Sequence, residues 1–133
     1  MNYADAGESE FSWIVAERHG VAVLSATGEL DMASAEEFRR GLTEAISHVR
    51  PPLVVVDLRG VEFCDSSGLN ALIRASSTVQ AAGGRLVLSG LRPRVARLLL
   101  VTGLDKHFPC AEDVAAATAL MAGTKASRTA TRA

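Results

Sequence analysis

The sequence predicts an α/β domain with a mixed, mostly parallel β-sheet and about four helices. Three observations carry that reading. Short apolar runs alternate with segments of helical periodicity from Phe11 to about Met121, the pattern of strand–helix–strand crossovers. The run Leu53-Val54-Val55-Val56 is unbroken and rich in β-branched residues, as in a central strand covered on both faces. Turn and stop signals at His19-Gly20, Pro51-Pro52 and Gly83-Gly84 punctuate the chain between these runs.

Taken in order, residues 11–18 and 21–27 read as two strands joined at His19-Gly20. Gly28-Glu29-Leu30-Asp31 closes the second, and Asp31 or Ser34 offers a cap for a helix over about 33–48. In that helix Phe38, Leu42, Ala45, Ile46 and Val49 form one apolar stripe. Glu36 and Glu37 suit the positive end of its dipole. Pro51-Pro52 stops it. A strand over 53–58 follows, then a loop over 59–64 that leads to Asp65-Ser66-Ser67-Gly68. Leu69, Leu72, Ile73, Ser76 and Val79 mark a second helix ending at Gly83-Gly84. Arg85–Ser89 is a further strand, and Pro93 suits the first turn of a third helix whose Val95, Leu98 and Leu99 face inward. A short extended stretch near 107–110 and a helix over about 112–122 complete the domain.

The 133 residues fit one domain: a polar extension over 1–10, the folded part over 11–122, and a tail over 123–133 expected to be disordered. A net charge of −1 argues against broad electrostatic capture of nucleic acid or anionic lipid. No apolar run approaches the roughly 18 to 20 residues of a membrane span. The start, MNYADAGESE, has neither a basic nor an apolar signal region, so a cytoplasmic setting is expected. Cys64 and Cys110 form no metal-binding pair by spacing, and His19, His48 and His107 are scattered. Neither a metal nor a cofactor is expected.

Chemistry concentrates at Ser66. A strand delivers the chain to Asp65-Ser66-Ser67-Gly68, which opens a helix at once. Asp and Ser are preferred caps because their oxygens accept from unpaired first-turn amides. The same setting exposes a hydroxyl beside the positive helix end, a good place for phosphate. The residues alone leave capping and phosphorylation both open. Asp31 is equally open between a helix cap and a group that orients Ser66, whereas Asp57 reads as a strand-end polar group. Arg92, Arg94 and Arg97 read as a solvated helix face. No GxSxG or GxxxxGK[ST] motif surrounds Ser66. Cys64 and Cys110 read as small buried hydrophobes, with a reversible disulfide between them as the alternative.

The run VVVDLRGVEFCDSSGLNALI, with GELD upstream and GGRLVLSGL downstream, resembles the STAS domain of bacterial anti-sigma factor antagonists, the SpoIIAA/RsbV type. The resemblance spans about 11–121. It implies a small β–α fold around a mixed sheet and a non-enzymatic, phosphorylation-controlled binding module. In that scheme Ser66 is phosphorylated by an anti-sigma factor with serine kinase activity. The unphosphorylated form binds that partner and frees a sigma factor, and a serine phosphatase restores binding after modification. Asp31, Asp65, Ser66, Ser67, Gly68, Leu69 and Asn70 then form the partner-binding surface. Asn70 stands where the family commonly has Gly, which changes that surface. Two other readings stay open: a STAS sensing or scaffold module in another signalling complex, and a small serine-dependent enzyme. A homodimer is also left open.

Overall fold

The computed structural model describes residues 11–121. The predicted extension over 1–10 and tail over 123–133 lie outside the described residues. Five strands form one sheet in the order β1-β2-β3-β4-β5: β1 Ser12–Arg18, β2 Val21–Leu30, β3 Leu53–Cys64, β4 Arg85–Ser89 and β5 Cys110–Ala111. β1 and β2 are an antiparallel hairpin, and the other three pairings are parallel. His19 and Gly20 both take positive φ in the hairpin turn, as a tight connection between twisted strands requires. The helices are α1 Ala35–His48, α2 Ser66–Ala81, α3 Pro93–Thr102 and α4, described over 114–121. A short 3₁₀ turn, Leu104–Lys106, follows α3.

Alternation along the strands sorts the core onto two faces. Ala22, Leu24, Val54, Val56, Leu86 and Leu88 face α1, α2 and α3, where Phe38, Leu42, Leu72, Val79, Val95 and Leu99 meet them. Val21, Val23, Leu53, Val55 and Val87 point the other way, onto Ala117 and Met121 of α4. The sheet is therefore covered on both faces, which explains the unbroken apolar run of β3.

One element departs from expectation. Residues 59–64, expected as a loop, continue β3 to Cys64. The pairing with β2 shifts register between Ser25 and Thr27 and again between Gly28 and Glu29. These irregularities put Leu58, Val61 and Cys64 inward at every third position, so the two-residue alternation of a regular strand is lost. Their effect is to carry β3 past the sheet body and deliver Asp65 beside the end of β2.

Candidate functional site

The site sits where the ends of β2 and β3 meet the start of α2. Leu30 and Cys64 are in register, and the Asp65 amide donates to the Leu30 carbonyl at 2.9 Å. Asp65 then caps α2: its Oδ1 accepts from the Ser67 amide at 2.8 Å. Its carbonyl accepts from Leu69 at 3.1 Å. Sequence reasoning expected this cap, and the geometry supplies it.

Ser66 is the first residue of α2 and is exposed. Among the described residues its hydroxyl has no hydrogen-bond partner. Asn70, one turn later, is also exposed, while Ser67 is half-buried. Gly68 and Leu69 are buried and hold the helix against the sheet. A Cβ on Gly68 would stand 2.7 Å from the Cys64 Sγ and 2.9 Å from the Leu30 Cβ, so only glycine fits this approach.

Asp31 is half-buried beside the site, one residue after Leu30. Its Oδ1 accepts from the amides of Ala33 and Ser34 at 3.0 and 3.1 Å, which caps its own turn. Ser34 precedes α1 but makes no side-chain cap. Its hydroxyl donates to the Glu29 carbonyl at 2.6 Å and accepts from the Asp31 amide at 3.0 Å. The Asp31–Ser34 turn thus fixes the shape of the loop between β2 and α1, and no hydrogen bond joins Asp31 to Ser66.

Two large apolar side chains not singled out in the sequence are exposed on the elements that lead to this site. Met32 is 81% exposed at the tip of the Asp31 turn, and Phe63 at the end of β3 is 38% exposed. Met32 shares a shallow groove with Glu36, Arg39, Ser67, Asn70 and Arg74. The available signal was a large apolar residue standing outside the periodicity of α1. Behind Phe63, Glu62 pairs with Arg92 at 2.9 Å, so one arginine of the expected solvated face ties β3 to α3. Arg94 and Arg97 are exposed.

The expected alternative for the cysteines, a Cys64–Cys110 disulfide, is overturned. Both thiols are free. Cys110 pairs with Leu88 and through it with Val56, whereas Cys64 pairs with Leu30. Leu24, opposite Val56, and Leu30 are six residues apart on β2, about 20 Å at ~3.3 Å per residue. A disulfide needs Cα atoms within about 7 Å. Cys64 is buried at the core edge, and burial, followed by the neighbouring Asp65 charge, pushes its thiol up to about 12. It acts as a small packing group under Gly68. Cys110 is exposed.

Elsewhere, Asp57 lies within β3 and not at its end, because the strand runs on to Cys64; its Oδ1 accepts from the Arg59 amide and the Ser89 hydroxyl at 3.2 and 3.3 Å, a structural role. Among the described residues no group of three His, Cys, Asp or Glu side chains is placed to hold a metal ion. No described helix is long and apolar enough to cross a membrane.

Comparison with known proteins fits this geometry to a family. The STAS domain model matches residues 12–117. This chain belongs to the STAS domain family. The anti-sigma F factor antagonist of Paenibacillus polymyxa is 33% identical over 90 residues, which cover 68% of this chain and 77% of that protein. The anti-sigma-F factor antagonist RsfB of Mycobacterium tuberculosis is 36% identical over 97 residues, 71% of this chain and 75% of RsfB. Among solved structures, an anti-sigma factor antagonist from Mycobacterium paratuberculosis superimposes with a TM-score of 0.75 at 28% identity. That match covers 84% of this chain and 93% of the other. The STAS fold and the expected mixed, mostly parallel sheet with about four helices are therefore both in place, and the sheet has five strands among the described residues.

Proposed function

We propose that this STAS domain is an anti-sigma factor antagonist whose partner binding is switched off by phosphorylation of Ser66. The observation that carries the reading is the exposed, unpartnered Ser66 hydroxyl at the start of a capped helix. Similarity to antagonists of two genera supports the class of partner. That partner is an anti-sigma factor acting as a serine kinase, and a serine phosphatase reverses its action. The exchange takes place in the cytoplasm, where sigma factors work.

The chain is the substrate in this scheme and performs no catalysis. A serine nucleophile needs an adjacent base to take its proton, and no hydrogen bond joins Ser66 to His, Asp or Glu among the described residues. A kinase supplies that base itself, so an exposed hydroxyl is what it requires.

The switch follows from charge and shape. Phosphate adds about −1.5 to −2 charges at neutral pH. Asp65, next in the chain, already carries a carboxylate at this helix start, so the patch turns more strongly anionic. A surface shaped for a neutral hydroxyl beside Met32 and Asn70 must then desolvate or repel that charge. Two unit charges about 4 Å apart interact by about 4 kcal/mol at an effective dielectric near 20. At about 1.4 kcal/mol per tenfold, that is enough to end binding without unfolding either protein.

The test is to incubate the chain with ATP and a serine-kinase anti-sigma factor and map the product by mass spectrometry. One phosphate on Ser66, and none on Ser66→Ala, is the expected result. Phosphate on Ser67 instead would overturn the assignment.

A further inference from the structure

A groove of about 410 Å³ runs between α1 and α2, leading away from the Ser66 surface. Leu42, Ile46 and Val49 of the α1 side and Ala71 and Ala75 of α2 give it an apolar floor. Arg39, Arg50 and Arg74 line it, and no acidic residue does. The neighbouring grooves differ: one includes Glu36, the other Glu36 and Glu44. Arg39 is ion-paired with Glu36. Arg50 and Arg74 are exposed, and among the described residues neither has an ion-pair partner.

The two helices run in the same direction, because Ala35 and Ser67 meet at one end of this face and Val49 and Ala82 at the other. Arg39 lies in the second turn of α1 and Arg74 midway along α2, both at the end where this groove meets the Met32 groove. Arg50 stands at the opposite mouth. An apolar floor of small-molecule size with unpaired cations on its rim calls for an occupant with an apolar body and an anionic head.

We infer that this groove binds a medium-chain fatty carboxylate, its head against Arg74 and its chain along Leu42, Ile46 and Val49 toward Pro52. This inference does not depend on phosphorylation of Ser66. The binding is saturable, one per chain, and selects anion over cation at equal chain length. Burial of methylenes strengthens it by up to about fourfold per carbon between hexanoate and decanoate.

Isothermal titration of the full chain with decanoate, below its micellar concentration, tests this. Decyltrimethylammonium serves as the cation of matched chain length. The expected result is one-to-one decanoate binding, at least about tenfold tighter than the cation. Arg74→Gln weakens decanoate about tenfold or more, and Arg50→Gln by less than about threefold. Thr78 lines the groove and is exposed, so Thr78→Trp fills the channel and abolishes binding. Circular dichroism shows whether each variant is folded. If Thr78→Trp is not, Arg74→Gln decides alone. Absence of saturable decanoate binding, equal binding of the cation, or unchanged affinity in folded Arg74→Gln would overturn the inference. So would an acidic partner helix as the occupant, recognised by failed decanoate binding together with partner binding lost in Arg74→Gln.

Discussion

Replacing Gly68 by alanine would put a methyl group 2.7 Å from the Cys64 Sγ and 2.9 Å from the Leu30 Cβ. Neither neighbour is the free end of a long flexible chain, so the start of α2 must shift. Overpacking of this kind costs about 1–3 kcal/mol, and chemical denaturation of Gly68→Ala should show that loss. Asp65→Ala removes the cap on the Ser67 amide and should lower stability by about 1 kcal/mol in the same measurement. Cys64 offers a prediction in pH. Burial holds its thiol protonated in the fold up to about 12, against an ordinary value near 9. The unfolded chain therefore loses this proton first, and stability falls as pH rises from about 9 toward 12. Urea titrations at pH 8 and pH 10 should show that fall, and Cys64→Ala should reduce it. At pH 8 iodoacetamide should modify the exposed Cys110 and spare Cys64. At this scale the cap at Asp65 was legible because Asp before a helix has a specific partner to find. The job of Asp31 was not legible, since a carboxylate can close its own turn or reach across a loop, and only the fold decides which.

At the scale of elements, most of the strand and helix pattern could be read from periodicity, and β3 shows where that fails. Periodicity assumes a constant register, and two shifts against β2 break it within one strand. Gly60 lies in that stretch, where an added Cβ would stand 2.8 Å from the Ala26 carbonyl oxygen. Backbone cannot yield there as a side-chain tip could, so Gly60→Val should destabilise the fold by about 1–3 kcal/mol in thermal unfolding. The shifts matter for function because they set where β3 ends. A regular strand would present Asp65 at a different height, without the bond from its amide to Leu30 that seats the start of α2. The exposure of Met32 has no signature in the sequence for a related reason. Turn residues carry no periodic signal, so an exposed apolar side chain among them looks the same in sequence as a buried one.

The described residues form one sheet covered on both faces, and the proposed recognition surface lies at one corner of it. Nothing in that arrangement has to move for Ser66 to accept a phosphate, because its side chain is exposed and takes no part in the core. Charge at a helix start is worth only about 0.3–1 kcal/mol. The melting temperature of Ser66→Asp should therefore stay within about 4 °C of wild type. The mostly parallel sheet and the family were both legible, the first from strand–helix alternation and the second from DSSGL after an apolar strand with GELD upstream, whereas the strand order was not. The disulfide alternative failed at this scale, since separation along neighbouring strands has no local signature. The central claim is that Ser66 is a switch for partner binding and not a structural residue. The most direct measurement is calorimetric affinity for the anti-sigma factor across wild type, Ser66→Ala and Ser66→Asp. The account predicts comparable affinity for wild type and Ser66→Ala, with a loss of at least about a hundredfold in Ser66→Asp while its melting temperature stays within about 4 °C of wild type. Equal affinity of wild type and Ser66→Asp would contradict it.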